Sequence, residues 1–237
     1  MCLEPFLDVY SGYSLDGIHI TGEALSYPER FAAFYNAIRP TYPKLQLIAS
    51  ATGFNCLPDP FPEDAWIDYH EYNIPENYIV NFAQWDNVSR RNKYIIGEMG
   101  RWGVQWSDMK GSVSEAVFML GLERNSDLIQ GVAFAPLISL IDHQQWAVQQ
   151  LSAQNAGTMT HEVISDTGFD PVFWSAVSAG DTSVVKLANY AGNDDPDSAN
   201  TFDSAPITAP LISHIESSDG IFEFVMPPWS VAVLRAD

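Results

Sequence analysis

Basic residues are scarce in this chain. Only 11 Lys and Arg stand against 30 Asp and Glu, a formal charge of −19 at pH 7 over 237 residues. A nucleic acid or an anionic membrane surface needs a Lys or Arg for each phosphate it meets, so this balance argues against both as partners. Long apolar runs are lacking as well. No segment approaches the roughly 18 residues that span a bilayer, and no membrane-crossing helix is expected. Met1-Cys2-Leu3-Glu4-Pro5 has no basic start followed by an apolar stretch and a cleavage site, so no signal peptide is visible in this chain. Two cysteines, Cys2 and Cys56, make neither a disulfide framework nor a zinc site, and they leave the redox compartment open. H-E-x-x-H, phosphate-cradling G-x-x-x-x-G-K-[ST], G-x-S-x-G and C-x-x-C patterns are all missing. Zinc proteases, nucleotide hydrolases and serine hydrolases of common type are thereby excluded.

What is abundant excludes disorder. With 7 Trp, 10 Tyr and 13 Phe in a chain that is 46% hydrophobic, there is ample apolar surface for a core. Strand and helix patterns alternate along the first part. Leu3 to Tyr10 reads as a strand, and Pro28 to Ile38 as a helix with Pro28 in its first turn and Phe31, Phe34, Tyr35 and Ile38 on one face. Leu45 to Ala49 and Ala65 to His70 read as strands, then a helix from Asn77 to Trp85, then the β-branched strand Lys93 to Ile96 ending at Gly97-Glu98. Ser112 to Glu115 fits a capping box that opens a helix to Arg124, followed by a strand over Leu128 to Phe134. Such alternation implies βαβ units and a parallel sheet, either doubly wound or part of a (β/α)₈ barrel. From about Val148 the pattern changes to short alternating strands such as Val184 to Tyr190. Asp219-Gly220 reads as a hairpin-type turn, and Ile221 to Val225 and Ser230 to Leu234 beside it read as strands.

In parallel α/β sheets the reactive groups sit at strand ends, where loops are free to build a site on a rigid frame. Two strand ends carry unusual loads: Asp68-Tyr69-His70-Glu71-Tyr72 and Gly97-Glu98-Met99-Gly100. A carboxylate directly after an apolar strand is costly to desolvate, which suggests either a partner or a chemical task. Taken singly, Glu98 is either an ion-paired surface glutamate or a catalytic group. His70 is likewise structural or functional, and Tyr72 and Trp102 are core or groove-lining aromatics. The acidic turn Asn193 to Asp197 lacks a ligand series at calcium-loop spacing and reads as solvated. Asn87-Val88-Ser89 fits the N-glycosylation pattern, a short motif that chance supplies often. Glutamates at strand ends with aromatic platforms are the parts of a glycosidase, whose retaining form needs two carboxyl groups about 5–5.5 Å apart.

In this order, Leu3-Glu4-Pro5, Tyr10-Ser11-Gly12-Tyr13-Ser14-Leu15-Asp16-Gly17, Asp68-Tyr69-His70-Glu71-Tyr72, Gly97-Glu98 and Gly121-Leu122-Glu123-Arg124-Asn125-Ser126-Asp127 resemble glycoside hydrolase family 51 α-L-arabinofuranosidases. The stretch Phe222-Glu223-Phe224 through Arg235 is similar to that family's C-terminal end. The resemblance implies a (β/α)₈ TIM barrel followed by an antiparallel β-sandwich. It also implies retaining hydrolysis of terminal α-L-arabinofuranosyl groups of arabinan and arabinoxylan, a polysaccharide or oligosaccharide partner, and an extracellular location. Neither a cofactor nor a metal is implied. Glu98 matches the nucleophile, and His70 and Tyr72 the His-x-Tyr of the sugar subsite. Gln145, before Trp146, resembles a glutamine that touches the sugar. The acid/base glutamate should follow an asparagine at the end of the fourth barrel strand. Glu23 stands nearest that place, but no Asn precedes it.

A strand-helix-strand stretch between Gly17 and Tyr27 and the family's first two strands have no counterpart, and a further gap follows Trp146. A barrel alone takes about 250 residues. The expectation is therefore a truncated member with internal deletions: an incomplete barrel over residues 1–147 and a sandwich over 148–237. Its alternatives are a catalytically dead carbohydrate-binding relic and a product that does not fold.

Overall fold

The computed structural model describes residues 27–51, 56–101, 108–135, 144–191, 212–216 and 218–236. The expected strand Leu3 to Tyr10, Glu23, Trp102 and the acidic turn Asn193 to Asp197 lie outside them. Two compact units divide the chain. The first takes residues 1–71, 89–99 and 127–135, and the second takes 72–88, 100–126 and 136–237.

Helix α1 (Tyr27–Ile38) precedes strands β1 (Ile48–Ala51), β2 (Trp66–Asn73), β3 (Tyr94–Arg101) and β4 (Ile129–Phe134), which lie in the first unit except for residues 72–73 of β2 and 100–101 of β3. The strands form one sheet in that order, with β1 parallel to β2 and β3 parallel to β4. Ala49, Ala65, Ile67, Tyr94, Ile96, Met99, Leu128 and Ile129 are its buried apolar residues. Helix α1 matches its sequence pattern in extent, yet none of its residues is buried, and Phe34 is 65% exposed. The helix is held by Phe31 stacked on Phe61 at 5.5 Å and by Asp64, which accepts from the Tyr35 hydroxyl and pairs with Arg39.

The second unit contains α2 (Pro75–Val80), a 3₁₀ turn (Asn81–Ala83), α3 (Met109–Arg124), α4 (Gln144–Gln154) and strands β5 (Met159–His161), β6 (Val172–Ala179), β7 (Thr182–Asn189) and β8 (Ser230–Ala236). The four strands form an antiparallel sheet in chain order. Helix α3 is buried almost all round, from Gly111 to Leu122, as its lack of a polar stripe requires. Val113, Ala116, Val117 and Leu120 pack with Phe82, Val148, Phe173 and Ala188 into one cluster. Glu123 ties α3 to the sheet, accepting from Ser175 Oγ on β6 and Lys186 Nζ on β7.

Three sequence expectations are corrected. The α3 cap is Asp108, whose side chain accepts from Gly111 N at 2.7 Å. Ser112 lies inside the helix and donates to Asp108 O, while Glu115 is buried beside Arg101. Val148 falls in helix α4, so the strand-rich part starts only at Met159. At the turn, Asp219 and Gly220 take positive φ of 54° and 77° between the bridged Ser218 and Ile221, as a tight hairpin turn requires, but residues 222–225 form no strand.

Candidate active site

Glu98 does not end its strand as the sequence pattern suggested. It lies within β3, where the register with β4 slips: Ile96 pairs with Val132 and Met99 with Phe134, three residues' advance on β3 against two on β4. One extra residue on a strand is a bulge, which bends the strand and re-aims the side chain beside it. The Glu98 side chain is left 33% exposed, so the carboxylate is both anchored in a sheet and open to solvent.

Strand β2 supplies the neighbours. Residues two apart on a strand share a face, so Asp68, His70 and Tyr72 project alike. The His70 ring is nearly buried, at 4% exposure, with Nε2 3.1 Å from Asp68 Oδ2 and Nδ1 3.8 Å from Glu98 Oε2. Ser50 faces Asp68 across the β1/β2 register and donates from Oγ to Asp68 Oδ2 at 3.0 Å. On the next strand, a Cβ placed on Gly97 would lie 2.0 Å from Asp68 Oδ1. Only glycine leaves room there, so three neighbouring strands converge on one aspartate. Tyr72 is half-exposed on the same strand as His70.

The sheet thus brings together Glu98 and His70 among the residues singled out in the sequence, with Tyr72 further along β2. Gln145 and Trp146 fall in helix α4. Two residues of the cluster, Asp68 and Ser50, have no place among the sequence-predicted site residues. For Asp68 the signal was present, since it precedes His70 by two in a strand pattern. Ser50 is visible only through the strand register. Among the described residues no group of three or more His, Cys, Asp or Glu side chains is arranged to hold a metal ion. Chemically, a solvent-accessible carboxylate facing an oriented imidazole provides a nucleophile or base with a polar neighbour that can contact a bound hydroxyl.

Comparison with known proteins gives a concordant result. Residues 9–90 match the α-L-arabinofuranosidase 1 domain family. The chain is 42% identical to a probable α-L-arabinofuranosidase A of Aspergillus terreus over 260 aligned positions, covering 92% of this chain and 41% of that protein. The α-L-arabinofuranosidase A of Aspergillus niger is 40% identical, with 91% and 41% covered. The chain therefore spans about two-fifths of the length of these curated relatives. The Aspergillus terreus alignment is longer than the chain itself, so part of the relative has no counterpart within the matched region. An arabinose-bound family 51 α-L-arabinofuranosidase structure is similar at a TM-score of 0.61 and 25% identity, over 70% of this chain and 32% of that one. The arabinose complex of the Thermotoga maritima α-L-arabinofuranosidase shares the fold at a TM-score of 0.65 and 15% identity, over 90% and 62%.

Proposed function

From the premise that the chain belongs to the family 51 α-L-arabinofuranosidases, we propose that it carries the nucleophile half of a retaining glycosidase site for terminal α-L-arabinofuranosyl groups. The observation that carries this reading is Glu98, aimed by the β3 bulge and facing His70 Nδ1 at 3.8 Å. In this reading a Glu98 carboxylate oxygen attacks the anomeric carbon, a C–O bond forms, and the bond to the leaving oxygen breaks with its electron pair. A general acid protonates that oxygen, and water then releases arabinose from the enzyme ester. By the family resemblance, His70, Tyr72, Gln145 and Trp146 are the proposed sugar-contacting residues and Glu23 the proposed acid/base. Substrates are arabinan and arabinoxylan side chains or oligosaccharides derived from them.

The fold belongs to the same proposal: a partial (β/α)₈ barrel over residues 1–147 and a β-sandwich module over 148–237. The switch from a parallel-paired sheet in the first part to antiparallel strands from Met159 onward supports it. An extracellular location is also proposed. It rests on the family resemblance.

The test is release of nitrophenolate from nitrophenyl α-L-arabinofuranoside. This leaving group departs without a proton, so the substrate bypasses a general acid, whose loss otherwise removes about 10²–10⁴-fold of rate. Hydrolysis is expected to be measurable and abolished in Glu98→Gln. Binding of arabinose-containing oligosaccharides without any release would replace the enzyme reading by the carbohydrate-binding one.

A further inference from the structure

Asp68 is an expensive residue to place where it stands. Its side chain is only 15% exposed, and Oδ1 is buried without a hydrogen-bond partner among the described residues. A buried carboxylate oxygen left unsatisfied costs stability, and such groups concentrate where a task compensates. Among the described residues, Asp68 is hydrogen-bonded at Oδ2 alone, which Ser50 Oγ and His70 Nε2 share at 3.0 and 3.1 Å. A carboxylate has no proton to give, so in this contact Nε2 is the donor. The ring's other nitrogen is then on the Glu98 side, at 3.8 Å, beyond direct hydrogen-bond range but adjacent to any hydroxyl bound at Glu98.

We propose that Asp68 is the positioning residue of this site, holding His70 as the Nε2–H tautomer with Nδ1 turned to Glu98, with Ser50 and the Cβ-free Gly97 holding Asp68 in turn. The role resembles that of any carboxylate that fixes an imidazole for work at its second nitrogen. The assignment rests on the arabinofuranosidase reading for what His70 and Glu98 do, but the couple itself is measurable apart from it.

The experiment is nitrogen-15 NMR of histidine-labelled full chain at neutral pH, with the His70 resonances among the five histidines identified by their loss in His70→Gln. Wild-type His70 is expected to carry its proton on Nε2. In Asp68→Ala, with folding checked by circular dichroism, the tautomer ratio should fall about tenfold toward a mixture, as loss of a charge-assisted hydrogen bond implies. Asp68→Asn should lose the preference as well, because its amide can present Nδ2–H to His70 Nε2 and favour a proton on Nδ1, and it serves equally should Asp68→Ala not fold. A proton on Nδ1 in the wild type overturns the proposal, as does an unchanged ratio in folded Asp68→Ala or, should that variant not fold, in Asp68→Asn. Nitrophenyl arabinofuranoside turnover measured on the same samples separates the two readings. An Nε2–H signature without turnover removes the glycosidase reading and leaves the couple, whereas turnover with an Nδ1–H signature does the reverse.

Discussion

At the scale of single residues, the packing of Asp68 against Gly97 is a contact sensitive to substitution. Adding a methyl group at Gly97 brings it within 2.0 Å of Oδ1 and 2.7 Å of Cγ of Asp68. Gly97→Ala should therefore destabilise by about 1–3 kcal/mol, the usual range for overpacking. In an Asp68→Ala background most of that penalty should vanish, because the crowding atoms are gone. Urea denaturation of both single variants and the double variant measures the coupling, and strict additivity would refute the contact. Tyr190 presents the opposite case. Its hydroxyl is buried with no hydrogen-bond partner among the described residues, and its ring meets Trp229 edge-on at 4.9 Å. Burial first, then the charges of Glu76 and Asp108, push the phenol far above its ordinary value of 10.0. Because the folded value is raised, the associated stability is present below pH 10 and is lost as pH rises beyond it, where the unfolded phenol ionises and the folded one does not. Tyr190→Phe should leave stability at pH 7 equal or improved and flatten its decline above pH 10, read from unfolding curves at pH 8 to 11.

At the scale of elements, helix α3 depends on a start that its sequence disguises. Ser112 and Glu115 have capping-box spacing, but Asp108 takes the cap because it also neutralises Arg101, with Oδ1 2.6 Å from Nη1 and both side chains 3% exposed. One carboxylate thus serves the backbone of α3 and the buried guanidinium at the end of β3. Asp108→Ala leaves that cation buried and the cap unmade, and should cost about 3–5 kcal/mol, the loss typical of a broken buried pair. Thermal unfolding checks it, and a loss below 1 kcal/mol would show that Arg101 is held otherwise. The existence of α3, β2, β3 and β4 was legible from periodicity and β-branched runs. The bulge at Glu98 was not, because it is a mismatch between two strands and neither strand alone contains it. Helix α4 was missed because Gln144–Gln154 has few apolar residues to set a period.

For the whole molecule, the charge of −19 is a uniform load on folding. Like charges repel within a Debye length, about 8 Å at 0.15 M salt, so the melting temperature should rise as sodium chloride is raised from near zero to that concentration. An unchanged or falling value would mean that the ion pairs, such as Arg39 with Asp64 and Arg90 with Asp127, outweigh the repulsion. Sequence by itself determined the α/β character and the prominence of Glu98 and His70. Composition and local period are properties of the chain read in order. Tertiary structure alone decided that Ser50, Asp68 and Gly97 meet, that Asp108 rather than Ser112 caps α3, and that Glu98 sits on a bulge. Each of these depends on register between segments distant in sequence, and register is set by which side chains fit together rather than by any one of them.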